Sequence, residues 1–320
     1  MADISRHPRE FASRLRRLTL CRRRERVTRD HVCSCQRADT ELRFGSHLPP
    51  SRCSLTKSKC GSEMNVVVEE AISARHEGRY AEALRILQTL FERIDSGALP
   101  RTPAHFITMF EWGLLVEQYL PAHEALARER DEQVRRLREG ERIFGDRHEP
   151  WPWSRFHAIV EMNEILKDHR STYEVFVQLK ASLPALARQE AFLALPAIVE
   201  IGDFALAEAY LGNPLRHLDQ LNRLAIDLPL YPPRGAAPRL VAELSNFMKE
   251  VILLMAVLRG QGRENEAELL TNSALTGLAT DDMRELSFRE IAAPGTIIRE
   301  ITSRQFGDED ADLDHPTASD

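Results

Sequence analysis

From Asn65 onward, apolar residues recur at three- and four-residue steps. Leu84, Leu87, Leu90, Phe91 and Ile94 form one such stripe, and this period places side chains along one face of an α-helix. Leu240, Val241, Leu244, Phe247, Met248, Val251, Met255 and Leu258 repeat the pattern over about five turns. Comparable stripes occupy residues 106–119, 156–166, 186–201 and 215–228. No segment alternates apolar and polar residues as a half-buried strand would. Gly and Pro fall between the stripes, at Leu99-Pro100, at Gly212-Asn213-Pro214 and across residues 229–238, where they interrupt helices. The expected fold class is all-α.

Three connections share a local chemistry. They are Glu77-Gly78-Arg79-Tyr80-Ala81-Glu82-Ala83, Ile201-Gly202-Asp203-Phe204-Ala205-Leu206-Ala207 and Gly260-Gln261-Gly262-Arg263-Glu264-Asn265-Glu266-Ala267. Glycine lets the chain leave a helix with positive φ. The bulky residue packs back over the turn, and the alanine lets the next helix approach closely. These turns resemble those of tetratricopeptide (TPR) repeats, in which a glycine ends the first helix and Tyr-x-x-Ala opens the second. Weaker echoes occur around Tyr119 and at Ser171-Thr172-Tyr173. The resemblance implies a TPR-like α-α solenoid of antiparallel helix hairpins. The bulky positions 80, 119, 173, 204 and 265 are unevenly spaced, so a degenerate array is expected. Insertions at residues 145–153 and 228–238 account for the uneven steps.

Charge divides the chain. Residues 1–63 carry 15 Lys+Arg and 7 Asp+Glu, a net +8, leaving 28 and 42 in residues 64–320, a net −14. All five cysteines (Cys21, Cys33, Cys35, Cys53, Cys60) lie in the first part. A zinc site using Cys33-x-Cys35 with Cys53 and Cys60 departs from the usual ligand spacing. A basic arm for nucleic acid or membrane, or an organellar presequence, is the other functional reading. The favoured expectation is a disordered segment, with translation of the natural product starting at Met64. A helical domain over 64–306 and an acidic disordered tail over 307–320 follow. A body without cysteine fits a reducing compartment, and a cytoplasmic protein is expected. No apolar run approaches the roughly 18 residues of a membrane span, and the net charge of −6 argues against bulk nucleic-acid affinity.

No phosphate-binding loop, His-Glu-x-x-His or nucleophile elbow appears. His157, Glu161 and Glu164, with Asp168 beyond, share one helix face, yet they lack the repeated Glu-x-x-His order of helical metal sites, so no metal or cofactor is expected. Residues 127–142 hold 11 charged side chains in 16. Arg128–Glu132, Asp131–Arg135 and Glu132–Arg136 stand at i,i+4, which reads as a self-paired exposed helix or as a charged partner-binding face. Aromatic clusters give the remaining candidates. Trp112, Tyr119, Trp151, Trp153, Arg155 and Asn163 are the expected partner-binding residues if exposed, whereas buried tryptophans would anchor an insertion.

The leading expectation is a non-enzymatic interaction or adaptor module that holds a peptide or partner helix in a concave groove of successive first helices. A helical protein with a small-molecule or enzymatic pocket near Trp112, Trp151, His157 and Glu161 is the alternative. A homo-oligomer packed through the Leu240 to Leu258 stripe is the third.

Overall fold

The computed structural model describes residues 56–149 and 152–306, with side chains from Val66 onward. Cys21, Cys33, Cys35, Cys53, Trp151 and the acidic tail from residue 307 lie outside what is described, as does the side chain of Cys60. The described chain is all-α apart from one small ribbon, and it forms two compact units, residues 56–201 and 202–306. Among the described residues no helix is long and apolar enough to cross a membrane.

The first unit runs α1 (Thr56–His76), α2 (Tyr80–Asp95), α3 (Arg101–Val116), α4 (Leu120–Arg138), β1 (Ile143–Phe144), β2 (Trp153–Ser154), α5 (Arg155–Leu166), α6 (His169–Ser182) and α7 (Pro184–Ile201). The sequence gives no alternation to announce the ribbon, because each strand contributes only two residues. They pair antiparallel, Ile143 with Ser154 and Phe144 with Trp153. The apolar stripes supply the core: Leu87, Leu90, Phe91, Ile94, Trp112, Leu115 and Leu126 are buried together.

The turns carry the expected geometry. Gly78, Gly202 and Gly262 have φ of +75°, +85° and +74°, and Ala83, Ala207 and Ala267 are fully buried. At the first turn Gly78 N–H donates to the Arg75 carbonyl and Arg79 N–H to the Ala74 carbonyl. This pair of bonds satisfies carbonyls that a helix end would otherwise leave unpaired. The same pair closes α5, where Lys167 N–H donates to Glu164 and Asp168 N–H to Asn163. Here the left-handed position is taken by Lys167, with φ +56°, a conformation that costs an L-residue about 1–2 kcal/mol. The turn therefore lies at Lys167-Asp168, upstream of the Tyr173 echo, and Thr172 is the buried small residue. Asp168 compensates by capping α6, accepting from Ser171 N–H at 3.0 Å.

Helices two apart in this unit lie side by side and run in the same direction. Arg130 of α4 meets Asp168 of α6, and Arg138 meets Gln178. Likewise His105 of α3 meets Glu161 of α5, and Gly113 faces Ile165. Helices α6 and α7, joined by Leu183 alone, pack along one another.

The second unit contains α8 (Phe204–Glu208), a 3-10 turn (Pro214–His217), α9 (Leu218–Asp227), α10 (Arg239–Gly260), α11 (Glu264–Thr276), α12 (Asp281–Ala292) and α13 (Thr296–Phe306). The Leu240 to Leu258 stripe runs along α10 at its centre, packed on Leu221, Leu270, Met283, Leu286 and Ile297. That stripe is thus occupied by helices of its own unit rather than presented to a second copy. The 228–238 segment is tied to α13 by Tyr231 Oη–H, which donates to Glu300 at 2.6 Å, and by Arg304 stacked 3.8 Å from the Tyr231 ring. Burial, together with Glu300, pushes the Tyr231 phenol up to about 12.

Phe204 packs against Gly260, where a Cβ would stand 2.2 Å from the ring. Gly260 is the last residue of α10 and lacks the positive φ of a turn glycine, so alanine there meets no backbone strain and loses only space. Gly260→Ala should lower stability by about 1–3 kcal/mol in urea unfolding, and Phe204→Leu in the same chain should recover most of that loss. A stabilised single variant would show that the ring does not sit there.

Candidate functional site

Arg155 opens α5 directly after β2 and is 2 % exposed. A guanidinium cannot be buried without partners for its donors, and five groups from three places in the chain meet it. Nη1 donates to Asp95 Oδ1 at 2.9 Å and to Gln133 Oε1. Nε donates to the Glu141 carbonyl at 2.9 Å and Nη2 to the Ile143 carbonyl at 2.7 Å; Nη2 also lies 3.5 Å from the Glu141 carboxylate. Asp95 further accepts from Gln133 Nε2 at 2.9 Å and from Arg136. Burial pushes the adjoining Glu129 carboxyl up, and Asp95, Glu132 and Glu92 add to this against the opposing Gln133 amide. The network locks the ribbon onto α2 and α4.

A second cluster fastens the other end of the ribbon. Trp153 stacks on His157, with ring centroids 4.0 Å apart, and Arg101 lies 4.1 Å over the same indole. Two groups so close to one centroid must take opposite faces, so both faces of Trp153 are covered. His105 meets the Trp153 ring nearly edge-on at 5.3 Å, and its Nε2 lies 2.5 Å from Glu161 Oε2. His157 Nε2 stands 4.0 Å from the other carboxylate oxygen. Burial raises the Glu161 pKa, but His105, His157 and Arg101 outweigh it and hold it below the ordinary Glu value. Glu149 accepts from the Arg101 backbone N–H at 3.0 Å and from its Nε at 3.2 Å, which caps the N-terminus of α3 from 48 residues away.

An open cleft of about 510 Å³ runs between α4 and α6. Val134 and Val175 form its floor, and Arg130, Asp131, Arg138, Asp168, Arg170 and Glu174 line its walls. Arg130 is held from below: its Nη1 donates to Asn163 Oδ1 at 2.6 Å and to Asp168 Oδ2 at 2.8 Å, and its Nε to Asp131 at 2.6 Å. Burial works against the Asp168 carboxylate, but the Ser171 backbone N–H and Arg130 hold its pKa below the usual Asp range.

The expected partner-binding residues are therefore scattered. Trp112 is buried, donating its indole N–H to the Ala122 carbonyl at 3.1 Å. Arg155 and Asn163 are buried in polar networks. Tyr119 is half-buried against Tyr80, at 5.8 Å between centroids. Trp153 is sandwiched, and Trp151 is not described. His157 and Glu161 do come together as their spacing suggests, but with His105, while Asp168 turns to Arg130. Among the described residues no group of three or more His, Cys, Asp or Glu side chains is placed to hold a metal ion. The ion pairs on α4 are not those expected from the sequence: Arg135 takes Glu132 at i,i+3 and Glu139 at i,i+4, and Arg136 takes Asp95 and Glu141. Sequence reading missed His105, Asp95 and Gln133. The only signal for them was position: His105 and Asp95 border apolar stripes, and Gln133 is an uncharged polar residue within the charged run of residues 127–142. Compared with known proteins, the chain matches no family model, no curated protein and no solved structure.

Removing Arg155 would take one of two guanidinium partners from the buried Asp95 and leave the Gln133 amide oxygen and the Glu141 and Ile143 carbonyls without their donor, so Arg155→Ala should cost about 3–5 kcal/mol. Arg155→Lys should recover little, because an ammonium cannot reach both carbonyls and the carboxylate. Urea unfolding of both variants checks this, and a fully rescued lysine variant would contradict the clamp. Glu161 gives a pH dependence of definite sign. A carboxyl with a depressed folded pKa stabilises above its unfolded value and loses that contribution as pH falls through its folded value. Glu161→Gln should therefore flatten the stability profile below about pH 4.5, as followed by circular dichroism.

Proposed function

We propose that this chain is an interaction module built from stacked helix hairpins, TPR-like in its turns, that holds a peptide segment of another protein in the α4–α6 cleft. The carrying observation is the cleft itself, an apolar floor of Val134 and Val175 between charged walls, with Arg130 fixed in place by Asn163. A pocket of this size accommodates an apolar anchor side chain, and the charged rim supplies orientation.

The stacked-hairpin reading draws support from recurring contact offsets. Side chains linking helices two apart are separated by 36 residues in Arg75–Glu111, 38 in Asp95–Gln133, 38 in Arg130–Asp168 and 40 in Arg138–Gln178. The 56-residue offset of His105–Glu161 spans the ribbon, as an insertion into such a series would. In that reading α2, α4 and α6 are the second helices of successive hairpins. The docking face then lies between second helices, not in the concave groove of first helices. A cytoplasmic setting, without a membrane or nucleic-acid partner, completes the proposal.

Panning the full chain against a random linear peptide library, followed by hydrogen exchange of the complexes, tests the placement. The expected result is new protection in residues 127–138 and 169–178. Protection confined to α3 and α5, or no enriched peptide at all, would overturn it.

A further inference from the structure

We propose that the α4–α6 cleft selects an extended peptide carrying one basic and one acidic residue about four positions apart, with an apolar side chain between them. This rests on the cleft being the docking face, and it follows from how unevenly the cleft's charges are paired.

Three guanidinium groups and three carboxylates line the cleft, so its formal charge is zero. Their pairing is not even. At one end Arg130 alone serves both Asp131 and Asp168, leaving an excess of one negative charge. Along α6, starting beside Asp168, Arg170 is paired with Glu174 one turn further on, at 2.9 Å, so these two charges cancel. At the far end Arg138 donates its Nε–H to the neutral Gln178 amide oxygen at 2.9 Å, and among the described residues it has no carboxylate partner. The cleft is a dipole, negative at Asp131 and Asp168 and positive at Arg138.

Both poles reach solvent. The Asp131 side chain is 70 % exposed and Arg138 is exposed, so a ligand can meet either without displacing a buried pair. Because α4 and α6 run in the same direction, the poles are separated along a common axis. Arg130 and Arg138 are eight residues apart, about 12 Å along a helix. An extended peptide advances about 3.3 Å per residue, so complementary charges fall about four positions apart. Between them the buried Val134 and Val175 offer a floor for one apolar side chain. A peptide with charges of one sign only would meet attraction at one pole and repulsion at the other.

The test uses the same random library on the full-length protein, compared with Arg138→Glu and Asp131→Lys, each checked for unchanged far-UV circular dichroism. Both positions are exposed, so both variants should fold. The wild type should enrich the basic–apolar–acidic pattern. Peptides selected on it should bind Arg138→Glu about fivefold or more weakly at low salt, with the difference shrinking at high salt. Libraries panned on Arg138→Glu should lose the acidic preference, and those panned on Asp131→Lys the basic one. Enriched peptides that protect α4 and α6 but ignore both charge reversals would overturn this inference and leave the docking site standing. Protection elsewhere, or no enrichment, would overturn both.

Discussion

The first unit depends on burying one guanidinium. Arg155 is the residue at which the ribbon becomes α5, and its donors reach α2, α4 and the entry to the ribbon's first strand. Each partner alone is a poor reason to bury a charge, since desolvation outweighs a single ion pair. Together they satisfy the guanidinium, and the geometry of three helices and the ribbon has to agree for that to happen. The Trp153 sandwich and the Glu149 cap act on the same insertion from its other side. The described residues on either side of that stretch are thus tied to the helices by side-chain bonds.

The chain's dominant order was legible because it is periodic. Stripes of Leu, Ile, Val and Phe at helical spacing became buried faces, and glycines followed by a bulky residue and alanine became turns. What was not legible is where a local rule gives way to a distant partner. Lys167 occupies a left-handed position that a sequence reader assigns to glycine, because Asp168 and the backbone bonds around it make the turn worthwhile. Arg155 and Asp95 look like surface charges, since nothing local distinguishes a charge that will be surrounded from one that will be hydrated. Trp112 and Trp153 carry the composition of a binding hot spot and the environment of a core.

The candidate cleft shows the same division. Its charged α4 face was visible as a run of alternating charge, with partner binding as one reading of it. Which charges neutralise one another was not visible, because Asp131 and Asp168 converge on Arg130 only when α5 places Asn163 beneath them. The uneven pairing that gives the cleft its polarity is a tertiary property, and it depends on α4 and α6 lying parallel.

The Arg155 clamp also has a consequence for the order in which the chain assembles. Its bond to Asp95 spans 60 residues, whereas the backbone bonds that close the helix turns span six or fewer. Closing so long a loop costs entropy that local hairpins avoid, so α1–α2 and α3–α4 can form while Arg155 is still hydrated. The clamp is thus a long-range closure laid over locally closed turns, and it is what ties the ribbon to α2 and α4 together.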